Sequence, residues 1–356
     1  MHGERWQEKG KDRLLQLPVE LQMRIFILAQ NASLVTVCKQ FWELGQSVTV
    51  RAQYLLYRYG RSNVLSKRAM KRKMVTLSVV EHLLRYRKVP VVDDWLFTYA
   101  CEGNALELAS WIVEEEETRT LAHYAHIAAM KGATGVLDVL ARYLDLVALG
   151  NSLLSVAQGE GQLATVKYLM AKGCDVHHDQ ERLLRNASHA GQDEMVKFIL
   201  SHGGNVHAYG EAALLNAVYK GYTGMVGLLL NAGANAQVNN NACMRAAFFN
   251  RDVESMNMLV KAGVDVTWNG DWLLKEGCRY GYVEAVEVWL KGVDDVNSKD
   301  GLALQMCLKY GSMDVLQVLL NQYHADPNRP GVHRVCKHMN LSKRMMDLLF
   351  QAGLRP

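Results

Sequence analysis

Residues Gly191 to His207 read GQDEMVKFILSHGGNVH. The same phrase returns, altered, as GYTGMVGLLLNAGANAQ (221–237), RDVESMNMLVKAGVDVT (251–267) and GYVEAVEVWLKGVDDVN (281–297). An upstream copy, GQLATVKYLMAKGCDVH, spans 161–177, and GSMDVLQVLL opens a further one at Gly311. The copies start 30 residues apart. A fixed period of that size marks a stacked-repeat architecture, in which each unit buries its apolar faces against its neighbours.

Within each copy, a segment such as MVKFIL (195–200) or MVGLLL (225–230) carries apolar residues at helical spacing. It predicts a short helix, apolar over most of its surface, closed by Gly203, Gly233 or Gly263 where positive φ is needed. A second short helix precedes it: RLLRNASHAG (182–191), ALLNAVYKG (213–221), LLKEGCRYG (273–281), ALQMCLKYG (303–311). The small residues Ala187, Ala217, Ala247 and Gly277 at its middle allow close helix packing. Gly161, Gly191, Gly221, Gly281 and Gly311 make the turn between the two helices. Neither helix has enough apolar area to fold alone.

The unit resembles the ankyrin repeat: a helix, then G-x-x-x-x-V-x-x-L-L, then G-A-D-V-N. The likeness rests on Gly233-Ala234-Asn235, Gly263-Val264-Asp265-Val266, Gly173-Cys174-Asp175-Val176 and Ala325-Asp326-Pro327-Asn328. The usual repeat is about 33 residues long and opens with T-P-L-H; here the period is 30 and that motif is missing. The resemblance therefore implies short hairpins between repeats, and this short form is similar to arrays from fungi and large DNA viruses. The implied fold is an all-α ankyrin-repeat solenoid of about nine helix pairs over residues 94–356. Its units begin near 95, 122, 151, 181, 211, 241, 271, 301 and 333, and the last (335–356) reads as a polar cap.

The chain has 356 residues, 49% hydrophobic and 21% charged, which predicts a globular protein and excludes a disordered one. Its seven cysteines stand singly, with no CxxC pair, and the polar start MHGERWQEKGKDR has no apolar h-region. No apolar run approaches the roughly 20 residues of a membrane helix. Together these predict a reducing compartment, cytoplasmic or nuclear, no membrane association, and thiols used as core residues.

Residues 14–45 are expected to form a separate helical segment. In LLQLPVELQMRIFILAQNASLVTVCKQFWEL (14–44), Pro18 suits a helix start, with Glu20 near its positive end. Leu21, Ile25 and Leu28 then form an apolar stripe. This resembles an F-box, L-P-x-E-L-x-x-x-I-x-x-L followed after a connector by L-x-x-V-C-K-x-F. The matching residues are Leu17, Pro18, Glu20, Leu21, Ile25, Leu28, Leu34, Val37, Cys38, Lys39 and Phe41. The resemblance implies binding to the Skp-type adaptor of cullin–RING ubiquitin ligases, through Leu17, Pro18, Glu20, Leu21, Ile25, Leu28, Val37 and Phe41. The connector is about three residues shorter than the F-box usually has, a departure that implies trimmed second and third helices. The competing reading is a structural cap on the first repeat. Exposure of Leu17, Pro18 and Ile25 favours the adaptor; their burial favours the cap.

Residues 46–93 form a basic, helical connector. Between Arg51 and Lys88, eleven basic residues face one acid, Glu81. KRAMKRK (67–73) reads as a nuclear-localisation or phosphate-binding patch, or as a solvated helix face. Without interleaved aromatics, a helix-turn-helix or a zinc pattern, nucleic-acid binding is not expected.

A protein partner is expected on the residues just before the inter-helix glycine and on the fingers. Stacked along the array these include Tyr219, Phe249, Arg279, Tyr280, Tyr310 and Trp268, types enriched at interface hot spots. Phe249 and Trp272 could equally pack as core. His177, His178, His189, His202 and His207 lack a carboxylate or thiol set with ligand spacing, and His177 and His207 read as turn caps. With no catalytic motif in the chain, the expectation is a protein–protein interaction module with no enzymatic activity, no cofactor and no metal.

Overall fold

The computed structural model describes residues 17–28, 43, 45–71, 75–91, 94–114, 118–293 and 295–355. All regular structure among them is helical. The chain divides into two compact units, one ending at Val176 and the other running from His177 to Pro356.

The unit from His177 stacks helix pairs in two layers. One layer holds His178–Ala190, Ala208–Lys220, Val238–Phe249, Trp268–Tyr280, Ser298–Tyr310 and Pro330–His338. The other holds Asp193–Ser201, Thr223–Asn231, Val253–Lys261, Val283–Lys291, Met313–Asn321 and Lys343–Gln351. The repeat period becomes a set of buried columns: Leu184, Leu214, Met244, Leu274 and Leu304 in the first layer, Val196, Val226, Met256, Val286 and Leu316 in the second. Each such aliphatic side chain contributes about 1.5–3 kcal/mol on burial. The small mid-helix column is fully used: Ala187, Ala217 and Ala247 are buried, and a Cβ at Gly277 would lie 2.8 Å from Val286.

The short connection between repeats is a turn of left-handed backbone. In this unit, five helices of the first layer open with three residues at positive φ: 179–181, 209–211, 239–241, 269–271 and 299–301. This region costs an L-residue roughly 1–2 kcal/mol, with Gly, Asn and Asp best tolerated. The sequences Asn-Asn-Asn (239–241) and Asn-Gly-Asp (269–271) follow that preference. No strands pair there among the described residues. The third residue of each of these turns, Glu181, Glu211, Asn241, Asp271 or Gly301, is buried. Glu181 is held 2.9 Å from His177 Nδ1 and accepts the backbone N–H of Asn205 from the next repeat at 2.9 Å. Asp271 accepts from Trp289 Nε1 at 3.3 Å and from Lys299 Nζ of the next repeat at 2.7 Å.

The inter-helix glycines adopt the expected left-handed backbone, and at one repeat Arg251 takes the same conformation (φ 55). Its guanidinium lies 5.3 Å from the centre of the Tyr282 ring, a cation–π contact that offsets part of the strain. Arg251→Ala should lose that contact and keep the strain; Arg251→Gly should lose the contact and relieve the strain. The glycine variant is expected to be the more stable of the two by about 1 kcal/mol in urea melts. Equal stabilities would show that the backbone at 251 is not strained.

In the unit ending at Val176, Trp95–Glu102, Thr118–Lys131 and Gly150–Gly159 form one layer. Leu106–Glu114, Thr134–Leu140 and Leu163–Ala171 form the other. Leu106–Glu114 packs on Leu77–Glu81, which packs on Val48–Tyr59, which packs in turn on Val19–Leu28. The basic connector is thus helical, with Leu55, Val79 and Leu83 in its core. Of the cysteines, Cys101, Cys174, Cys243, Cys278 and Cys307 are buried. Burial pushes the Cys101, Cys243 and Cys278 thiols up to about 12, so they remain protonated core groups. Cys38 lies outside the described residues.

Candidate functional site

The last turn of a first-layer helix runs into the turn between the two helices, so the residues just before that turn cannot be covered by the second layer. Tyr219, Phe249 and Tyr280 are 65%, 66% and 58% exposed, and Tyr310 is also exposed. The helix wheel explains the contrast with their neighbours: Val218 and Phe248, one position before Tyr219 and Phe249, and Cys278, two before Tyr280, point into the core and are buried.

Phe248 is the hub of an aromatic cluster. Its ring centre lies 5.4 Å from Phe249, 5.3 Å from Trp272, 6.2 Å from Tyr280 and 5.5 Å from Tyr282. Phe249 and Trp272 also meet edge to face at 6.3 Å. These separations are those of favourable edge-to-face and tilted pairs. Burial also pushes the Tyr282 phenol above its ordinary range. Phe249 is therefore a surface residue, and Trp272 is half-buried at the edge of the cluster.

The structure brings most of the expected partner residues to one layer. Asn250 ties the row together, donating from Nδ2 to the carbonyls of Val218 at 2.8 Å and Tyr219 at 3.1 Å. Arg279 is exposed, 3.7 Å from Glu276. Lys309 lies over the Tyr310 ring at 5.8 Å. Trp268 stands apart from the row: it sits in the left-handed connection, half-buried, lining a shallow cleft with Met244, Arg245 and Trp272. Phe248 was not singled out by composition. The period contained the signal, because its column partners Val218 and Cys278 are apolar or thiol residues.

Two of the histidines hold buried carboxylates in place. His177 and His207 stand at helix starts, and each Nδ1 meets the buried carboxylate four residues on, Glu181 at 2.9 Å and Glu211 at 2.6 Å. Among the described residues no group of three or more His, Cys, Asp or Glu side chains could hold a metal ion.

At the other end, Pro18, Glu20 and Leu21 are exposed, while Leu17 and Ile25 are half-buried. Leu28 closes the helix Val19–Leu28. Gln22 is buried and donates from Nε2 to the Leu17 carbonyl at 2.8 Å, fixing the chain's entry into this helix. Val37 and Phe41, with Leu34, Cys38 and Lys39, lie outside the described residues. In KRAMKRK, Lys67, Arg68 and Lys71 are exposed and Ala69 is buried. No helix among the described residues is long and apolar enough to cross a membrane.

Paired helices at a 30-residue period coincide with a family match. Residues 153–241 and 183–270 match the family model described as ankyrin repeats (3 copies). The helix pairs within residues 153–270 are similar to ankyrin repeats. A crystal structure of an ankyrin repeat domain from Acinetobacter baumannii is 21% identical, covering 47% of this chain and 96% of that domain, with a TM-score of 0.42. No curated protein matches the chain. Ankyrin repeats are a protein–protein interaction fold; Tyr219 and Phe249 lie within the matched residues, and Tyr280 and Tyr310 follow them along the same layer.

Proposed function

We propose that this chain recruits a target protein through the Tyr219–Phe249–Tyr280–Tyr310 row and carries it to a cullin–RING ubiquitin ligase through residues 14–45. The observation that carries the first half is a row of large aromatic side chains left in solvent, anchored by a buried aromatic hub. Exposed Tyr and Trp side chains held rigidly from below supply contact area at little cost in ordering entropy. The second half rests on the F-box-like phrase and on the open apolar edge of Pro18, Val19 and Leu21. The ligase chemistry would belong to other subunits, with this chain supplying effective concentration.

Affinity capture of the intact chain, of Leu21→Asp and of a form lacking residues 1–45 tests the adaptor arm. Skp-type adaptor and cullin should be recovered with the intact chain and lost, at least about tenfold, with both variants. Equal recovery from all three, or none from the intact chain, leaves an ankyrin scaffold with no ligase link.

A further inference from the structure

Charge is sorted between the two layers of the unit from His177. In the right-handed portions of its first-layer helices, Arg185, Lys220, Arg245, Lys275, Arg279 and Lys309 stand beside the aromatic row, joined by Arg182. The one acid in those segments is Glu276, which lies against Arg279. Of the carboxylates in the left-handed turns, Glu181, Glu211 and Asp271 are buried, while Asp179 meets Arg182 at 3.7 Å and Asp300 meets Arg334 at 3.0 Å. The second layer leans the other way, with Asp193, Glu194, Glu254, Glu284, Glu287, Asp314 and Asp347 against Lys197, Lys261, Lys291, Lys343 and Arg344.

Most of these cations are unspent. Among the described residues, Lys220, Arg245, Lys275 and Lys309 make no ion pair. Arg185 is held over the Tyr209 ring at 4.5 Å and donates to the carbonyls of Asp179 and Gln180, so its charge too has no carboxylate partner. A row of fixed rings with free cations between them is complementary to a chain that alternates apolar and acidic side chains.

The geometry points to an acidic, extended peptide segment as the occupant of this face, with an apolar or aromatic residue at about every third position. Neighbouring helices in a layer pack about 8–10 Å apart, and three residues of extended chain span about 10 Å. One anchor per repeat, with carboxylates between, therefore keeps register across the helices. A single-stranded nucleic acid fits less well, because its stacked bases repeat at about 3.4 Å per strand and are read by rings that follow successive bases. The inference rests on the recruiting role of the aromatic row.

The test uses the full chain and fluorescently labelled synthetic peptides of about fifteen residues, long enough to cross five helices. One carries Leu at every third position with Glu between; a second replaces Glu by Gln, and a third by Lys. An RNA oligonucleotide of similar length is the fourth probe. The acidic peptide should bind at least about tenfold more tightly than the Gln peptide, and its binding should weaken as salt rises. The Lys peptide should not bind. Combined Arg245→Glu, Lys275→Glu and Arg279→Glu should weaken the acidic peptide at least about thirtyfold with the melting transition retained. Equal binding of the Glu and Gln peptides, tighter binding of RNA, no binding of the acidic peptide, or no effect of the charge reversals overturns the inference. Phe249→Asp separates the two claims. If the Glu and Gln peptides bind equally and Phe249→Asp abolishes both, the row recruits through its rings and only the acidic preference falls; if it changes the binding of no probe, the recruiting role falls as well.

Discussion

Trp289→Ala is expected to destabilise the unit from His177 by about 3–5 kcal/mol, the range for removing a large buried aromatic. Trp289 is 0% exposed, on the second-layer helix Val283–Lys291, and its indole N–H reaches the buried Asp271 in the left-handed turn. The ring thus ties the turn of a repeat to its second helix, and Lys299 extends the contact to the next repeat. Trp289→Phe keeps most of the apolar area and should cost less, about 1–2 kcal/mol. Asp271→Ala leaves the indole N–H without a partner and should cost about 1–3 kcal/mol. Half-exposed Lys299 recovers solvation, so its lost ion pair adds little. Urea melts followed by circular dichroism measure all three. Because repeat arrays hold together through nearest-neighbour interfaces, Trp289→Ala should also lower the m-value as the melt loses cooperativity. A loss under about 1 kcal/mol would mean that the site collapses around the cavity.

Adjacent phenylalanines should behave in opposite ways. Phe248→Ala removes the hub of the aromatic cluster, 3% exposed, and is expected to cost about 3–5 kcal/mol of stability. Phe249→Ala trims a ring that is mostly in solvent, and its stability cost should stay near 0.5 kcal/mol. Binding should show the reverse. Phe249→Ala is expected to weaken target capture by about 2 kcal/mol or more, close to a thirtyfold change in affinity. Measuring stability and capture on both variants checks the assignment. A Phe249→Ala chain that captures its target unchanged would remove this residue from the recruiting face.

The period of 30 made the fold readable without coordinates. Repetition converts weak local signals, such as MVKFIL at 195–200 or Gly233 after MVGLLL, into one architecture that each copy supports independently. Helix ends were legible for the same reason: Gly203, Gly233 and Gly263 all take positive φ after their helices. The aromatic row could also be read in register, since Tyr219 and Phe249 fall at one repeat position and Tyr280 and Tyr310 at the next.

What the sequence determined by itself was local and periodic: helix, turn glycine, buried column and repeat number follow from residue types at fixed spacing. The tertiary structure alone decided which rings are core and which are surface, because Phe248 and Phe249 are chemically identical and differ only in how the helix is rotated against its neighbours. It decided that Glu181, Glu211 and Asp271 are buried and partnered, a placement that residue type argues against. It also separated the layers by charge, since a cation's effect on a partner depends on which side of the stack it faces, and facing is set by packing between repeats.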